Sequence, residues 1–282
     1  MNETDTSATA TAVGAARKHK RKPRKKTVDL EWLAPATPWV VCLALVVIWE
    51  VACTLLSVPE FILPKPSQIA EVLISARKAI WFHSEQTLIT TVIGFAISVV
   101  FGLLLGVAIG SSRFVYRGFY PILVGFNSVP KVALVPVLVV WFGIGTIPAI
   151  LTAFLMSFFP IVVNVATGLA TVEPELEDVL RSLGAKKRDL IIKVGLPRSL
   201  PYFFASLKVA VTLAFVGSVI SESIASSVGI GTLMVRAASD FNISLVFAGL
   251  VVTAAMGVTM YAAFAIFEQH TTAWASRKNV AN

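Results

Sequence analysis

Charge is scarce in this chain. Of its 282 residues, 14% are Asp, Glu, Lys or Arg and 56% are hydrophobic, whereas a soluble globular domain carries about 25% charged residues. A soluble fold of this length would need a charged surface to face water, and nearly half of the charges here sit in two short blocks. Lipid is therefore the expected solvent for most of the surface, and a mean hydropathy of +0.80 agrees.

Residues that carry chemistry are equally thin. His19, His83 and His270 fall in three separate regions without metal-ligand spacing. Neither a G-x-S-x-G elbow nor a G-x-x-x-x-G-K-[ST] phosphate loop occurs. These absences exclude the familiar catalytic centres, hydrolysis of ATP by this chain among them. Any ATP-driven motor must come from another polypeptide, and neither a cofactor nor a metal is expected. The two cysteines, Cys42 and Cys53, lie in the same apolar run. On a helix they stand about 16 Å apart, beyond disulfide reach.

What the chain has is long apolar runs. They cover about Pro38–Ser57, Thr87–Gly110, Gly118–Phe142, Ile147–Leu169, Tyr202–Ile224 and Ser244–Phe267. Each approaches or exceeds the ~20 residues that cross ~30 Å of hydrocarbon. The fold class expected is therefore an all-α polytopic membrane protein with about six transmembrane helices. Residues 1–36 contain almost no large apolar side chains and are expected to form a disordered tail. No short apolar stretch with a small-residue cleavage site precedes the first run, so that run is expected to stay as an anchor.

Six spans put both termini on one side, and the basic residues say which. With the N-terminus in the cytosol, the inner segments hold eighteen Lys and Arg: eight from Arg17 to Lys26, two at Arg113 and Arg117, six in 173–198, and Arg277 with Lys278. The outer segments hold four: Lys65, Arg77, Lys78 and Arg236. The RKHKRKPRKK run precedes an apolar span, so it reads as a topogenic tail with possible secondary contact to anionic headgroups and not as a nucleic-acid surface.

Within the second run Gly94, Ser98, Gly102, Gly106 and Gly110 stand four apart on one helix face. Such a face lets another helix approach closely, either within the chain or in a second copy. The third and fourth runs hold Pro121, Pro130, Pro136, Pro148 and Pro160, which kink helices where protein or a water-filled cavity can satisfy the freed carbonyls. Among polar intramembrane residues, Lys131 follows the Pro130 break and either faces a route for anions or meets a structural partner: a carbonyl freed by Pro136, Glu50 or Glu222. Glu222 either lines the outer end of the route or caps a helix. Asn164 makes an interhelical hydrogen bond or lines the route. Lys208 is expected to snorkel.

The segment 173–198 is the one long charged loop. Leu176, Val179, Leu180 and Leu183 follow the i, i+3, i+4, i+7 pattern of an amphipathic helix. Pro174 suits its first turn, four acidic residues sit at the positive end of its dipole, and Gly184 suits a left-handed stop. A second short helix with Leu190, Ile191 and Val194 follows. These apolar stripes need cover, from the loop's own membrane ends or from a partner's groove.

The spacing Asp178, Gly184, Val194, Leu196-Pro197 resembles the cytosolic loop of permease subunits of binding-protein-dependent ABC importers. The pattern there is Glu-Ala-Ala, three residues, Gly, nine residues, Ile, one residue, Leu-Pro; Asp178-Val179-Leu180 and Val194 are departures that keep one carboxylate and the apolar character. Further matches are Trp49-Glu50, Leu63-Pro64, VPKVALVPVLVVWFGIG from Val129 to Gly145, Phe159-Pro160 with Asn164 and Gly168, Glu222, and Gly229–Gly231. They resemble the nitrate/sulfonate/taurine branch, from which Thr90 departs, many members having Arg there. The resemblance implies a transmembrane domain over 37–282 that forms the translocation pathway for a small anionic solute such as a sulfonate, nitrate or taurine. It implies a multi-pass protein of the bacterial inner membrane, a cytosolic ATPase dimer that binds ATP and docks on 173–198, a periplasmic or extracellular substrate-binding protein, and a second permease copy. A self-sufficient secondary transporter or channel is the rival; it would want ionisable relays or an inverted repeat, and neither is evident.

Overall fold

In the computed structural model the described residues are 37–171, 179–180 and 182–276. Among them every regular element is a helix. The helices are α1 (Thr37–Leu55), α2 (Pro66–Ser75), α3 (Arg77–Gly110), α4 (Arg113–Ser128), α5 (Val135–Phe142) and α6 (Thr146–Ala170). They continue as α7 (Lys187–Leu190), α8 (Leu196–Ala225), α9 (Ile230–Ser239) and α10 (Ile243–Ser276). The chain divides into two units, Met1–Val47 and Ile48–Asn282. The first contributes the opening turns of α1, and the packing below belongs to the second.

Among the described residues five helices are long and apolar enough to cross a membrane, or six if α4 and the Lys131–Phe142 segment count as one broken span. The third apolar run is thus not one straight helix. Pro130 lacks an N–H, Val129 turns extended, a 3-10 turn spans Lys131–Leu134, and the two halves meet at 74°. The second run is longer than its hydropathy suggested, because α3 begins at Arg77. Residues 69–80, ahead of that run, are shared between α2 and the start of α3.

The seam between α3 and α6 organises the bundle. The small-residue row faces α6 of the same chain. A methyl on Gly94 would stand 2.6 Å from Ile150 O, one on Gly102 2.8 Å from Ile161, one on Gly106 2.7 Å from Val165, and one on Gly110 2.8 Å from Leu169. Ala153, which also meets Gly94, Ser157, which meets Ser98, and Ile161, Val165 and Leu169 recur at four-residue spacing on α6, so the two faces interlock along most of their length. In lipid no hydrophobic force separates helix from tail, and close dispersion contact is what holds such a pair. α8 packs on the other side of α6, with Gly168 against Ser199 and Gly217 against Met156 and Thr152. Phe95, Ile161, Val165, Phe204, Val211 and Ala214 fill the common core.

A second core lies where α2, α3, α9 and α10 meet, around Ile69, Ile80, Ile230, Leu233 and Ala248. Two carboxylates fasten α2 there. Glu50 accepts the Ser67 N–H at 3.0 Å and its hydroxyl at 2.8 Å, satisfying the start of α2. Glu60 accepts from Gln68 at 3.2 Å and from Ser244 of α10 at 2.7 Å.

Candidate functional site

Three groups of polar residues interrupt this apolar frame. The first surrounds Glu222, which is only 1% exposed. α3 presents Thr87 and Thr90 on one face, a helical turn apart, and α8 presents Ser218 a turn before Glu222. The Glu222 carboxylate accepts from Thr87 at 2.7 Å, Thr90 at 3.1 Å, Ser218 at 3.3 Å and the Gly231 N–H at 3.4 Å. A carboxylate is acceptor-only, and burial makes each donor count. Thr87 extends the arrangement, because its oxygen also accepts the Ile230 N–H at 2.8 Å. The main-chain oxygen of Glu222 accepts from Thr232 at 3.0 Å. His83 Nδ1 lies 3.0 Å from both the N–H and the carbonyl oxygen of Gly229.

These bonds explain the Gly229–Gly231 motif. Gly229 has φ +132°, and a side chain there would strike the carboxyl of Glu222; one on Gly231 would strike Val219 O. Both glycines let the chain fold tightly over a buried acid. Glu222 is thus enclosed by its own chain in this structure. The Thr87, Thr90 and Gly229 partners escaped sequence reasoning, although Thr87, Thr90 and Thr91 share one helical face and could have been matched to a lone acid.

The second group sits at the α4–α5 break. Lys131 Nζ donates to the carbonyl of Asn127 at 2.7 Å and to its side-chain oxygen at 2.9 Å, and stands 5.2 Å from the centre of the Phe159 ring. None of the partners anticipated for it is used: Glu50 bonds to Ser67 and Glu222 to its hydroxyls. The ammonium instead satisfies a carbonyl orphaned at the end of α4. Two of its three protons are taken, leaving one free among the described interactions. Phe126 stacks on Phe159 at 6.3 Å with 15° between planes. Asn164, one turn beyond Pro160, donates to the Pro160 carbonyl at 2.8 Å, so its hydrogen bond lies within α6 and not between helices. Lys208 is not a free snorkelling cation either; it pairs with Glu268 of α10.

The third group is the loop. Asp178 and the segment 172–178 lie outside the described residues. Gly184 has φ +86° with open space around it, and Ala185 N–H bonds to Leu180 O at 3.0 Å, the expected left-handed stop. Val179 is 57% and Leu183 78% exposed, whereas Leu190 is buried. Gly195 is also buried and meets Leu169 of α6. Half-buried Val194 leads through a π turn, Ile191–Gly195, into Leu196-Pro197 at the first turn of α8. In the second stripe Leu190 is buried and Ile191 and Val194 are half-buried; in the described part of the first, Val179 and Leu183 are exposed and Leu180 is half-buried. Among the described residues no cluster of His, Cys, Asp or Glu could hold a metal ion.

Residues 98–273 match a family described as binding-protein-dependent transport system inner membrane component. The formylaminopyrimidine transport permease of Halalkalibacterium halodurans is 32% identical, covering 86% of this chain and 96% of that protein. The riboflavin transport system permease of Chloroflexus aurantiacus is 30% identical, covering 89% and 95%. The taurine transport system permease of Escherichia coli is 28% identical, covering 82% and 86%. Among solved structures, the inward-facing MetNI methionine ABC transporter has a chain that shares the fold, with a TM-score of 0.60 at 20% identity over 71% of this chain and 97% of that one.

Proposed function

Since the chain belongs to the family of inner-membrane components of binding-protein-dependent transport systems, and is a permease subunit of an ABC importer, we propose that two copies of its 37–282 domain form the pathway and that 173–198 couples it to an ATPase dimer. The carrying observation is the uneven cover of the loop. Val179 and Leu183 stay exposed beside the Gly184 stop, while Leu190 and Gly195 are buried in the bundle. Exposed apolar side chains beside a helix stop suit a groove in another protein. Asp178, Val194, Leu196 and Pro197 frame that element, and ATP binds on the partner.

A soluble binding protein delivers the solute from outside. Both termini face the cytosol, as the distribution of Lys and Arg favours, and the basic run of the 1–36 tail serves as a topogenic signal. The solute is small and carries an anionic or strongly hydrogen-bond-accepting group; sulfonates, taurine, nitrate and formylaminopyrimidine, named for the relatives, are the first compounds to test. Lys131 keeps a donor free for such a group at a broken span, the kind of backbone that membrane proteins reserve for cavities. Asn164 is assigned to the same route, and Glu222, being enclosed, is not.

Co-purification tests this reading. Leu183→Glu or Gly184→Arg should lose the ATPase and ATP-dependent uptake together while the permease still inserts. Retention of both activities by both variants would overturn it.

A further inference from the structure

We infer that Glu222 is a positioning residue that transmits engagement of the outer face to the ATPase-docking loop, with α8 as the connecting rod. The inference rests on the coupling role proposed for 173–198.

The outer hairpin Ser226–Gly229 and α9 are gripped by α8 and α3 through one carboxylate. Four donors from α3, α8 and α9 converge on it, and the main chain of the same residue holds Thr232. Ile230 is the hub of the arrangement. Its N–H goes to Thr87, and its fully buried side chain belongs to the core shared with α2 and α10. A force that tilts α9 therefore acts on the bonds around Glu222, whereas α10 also meets the main core directly through Phe264 and the Lys208–Glu268 pair.

Glu222 stands near one end of a span running Ile191–Ala225, 35 residues long, or about 50 Å. The other end carries Val194, Leu196 and Pro197, where the docking loop joins. No side chain needs to relay the displacement in between, because a helix packed along α6 moves as a unit. Among the described residues no cation pairs with the carboxylate, so hydroxyls and one N–H hold it. Such bonds are directional and exchange readily, which suits a joint that must change its angle and re-form.

The test uses the full permease in nanodiscs with its ATPase and its binding protein, with formylaminopyrimidine, riboflavin and taurine each supplied in parallel as solute. Basal ATP hydrolysis and its stimulation by the binding protein are measured. Glu222→Ala and Thr87→Val should keep basal hydrolysis within about twofold and lose stimulation about tenfold, the scale of a coupling between distant sites. Glu222→Gln, which keeps one acceptor oxygen, should recover part of the stimulation. Equal loss of basal and stimulated hydrolysis in both variants, or full stimulation in both, would overturn the inference. A wild-type complex that binds no ATPase would instead overturn the reading on which it rests.

Discussion

Ser98 and Ser157 share a hydrogen bond of 2.6 Å across the α3–α6 seam, in a row that is otherwise glycine on the α3 side. Both hydroxyls also reach the Phe154 carbonyl, Ser98 at 2.9 Å and Ser157 at 3.4 Å. The glycine row thus carries a polar rivet, and toward the start of α6 Gln86 of α3 adds a bond to Thr146 at 3.3 Å. Ser98→Ala should cost about 0.6 kcal/mol, the average for interhelical hydrogen bonds in a membrane. Gly102→Leu should cost more, at least about 1–3 kcal/mol, because Ile161 stands where the new side chain must go. Thermal unfolding in detergent, read by tryptophan fluorescence, checks the order; a milder Gly102→Leu would refute the packing.

Gly229 and Gly145 separate backbone strain from collision. Both have positive φ, +132° and +147°, but Gly145 has open space where Gly229 has the carboxyl of Glu222. Gly145→Ala should cost roughly the 1–3 kcal/mol of a strained backbone. Gly229→Ala should add the displacement of a buried acid and lower the yield of folded protein further. Comparing the two melting temperatures decides it.

Lys131 is expected to matter for uptake more than for folding. It is part-exposed, and its bonds run to a residue one turn away. Lys131→Met should leave the melting temperature and ATPase binding nearly unchanged while reducing uptake of an anionic solute about tenfold, since a charge-assisted hydrogen bond contributes about 1.5–3 kcal/mol. Full uptake by Lys131→Met would remove it from the route.

The Lys208–Glu268 pair links α8 to α10 with both side chains mostly shielded. Losing one partner leaves the other charge unmatched in an apolar setting, and replacing both removes the problem. Lys208→Met and Glu268→Met should each destabilise the protein, whereas the double variant should be more stable than either. A double-mutant cycle measures the coupling.

Much of this was legible beforehand. The places of the spans, the small-residue row and the Gly184 stop follow from periodicity and single-residue chemistry, which act locally. What hydropathy could not give was the partner of each polar residue. Gly94 to Gly110 could face α6 or a second copy, and only the complementary spacing of Ala153 to Leu169 decides between them. Lys131 drew attention to distant carboxylates, yet its partner is Asn127, made available by the break at Pro130. Glu222 and Thr87 are 135 residues apart, and nothing in a linear pattern joins them. The kink at Pro130 was legible, whereas its size, 74° between two separate helices, was not, because continuous hydropathy conceals the backbone consequence of Val129-Pro130.

The interlock of α3 with α6 limits where the transport cycle can bend. Helices that interlock at four glycines and one serine have little slack to slide past each other, so they travel together as one plate. Compliance is then concentrated at the 74° joint between α4 and the Lys131–Phe142 segment, whose backbone is already free of a continuous hydrogen-bond ladder. Alternation between the two faces of the membrane would thus resemble a stiff panel swinging on a single soft corner.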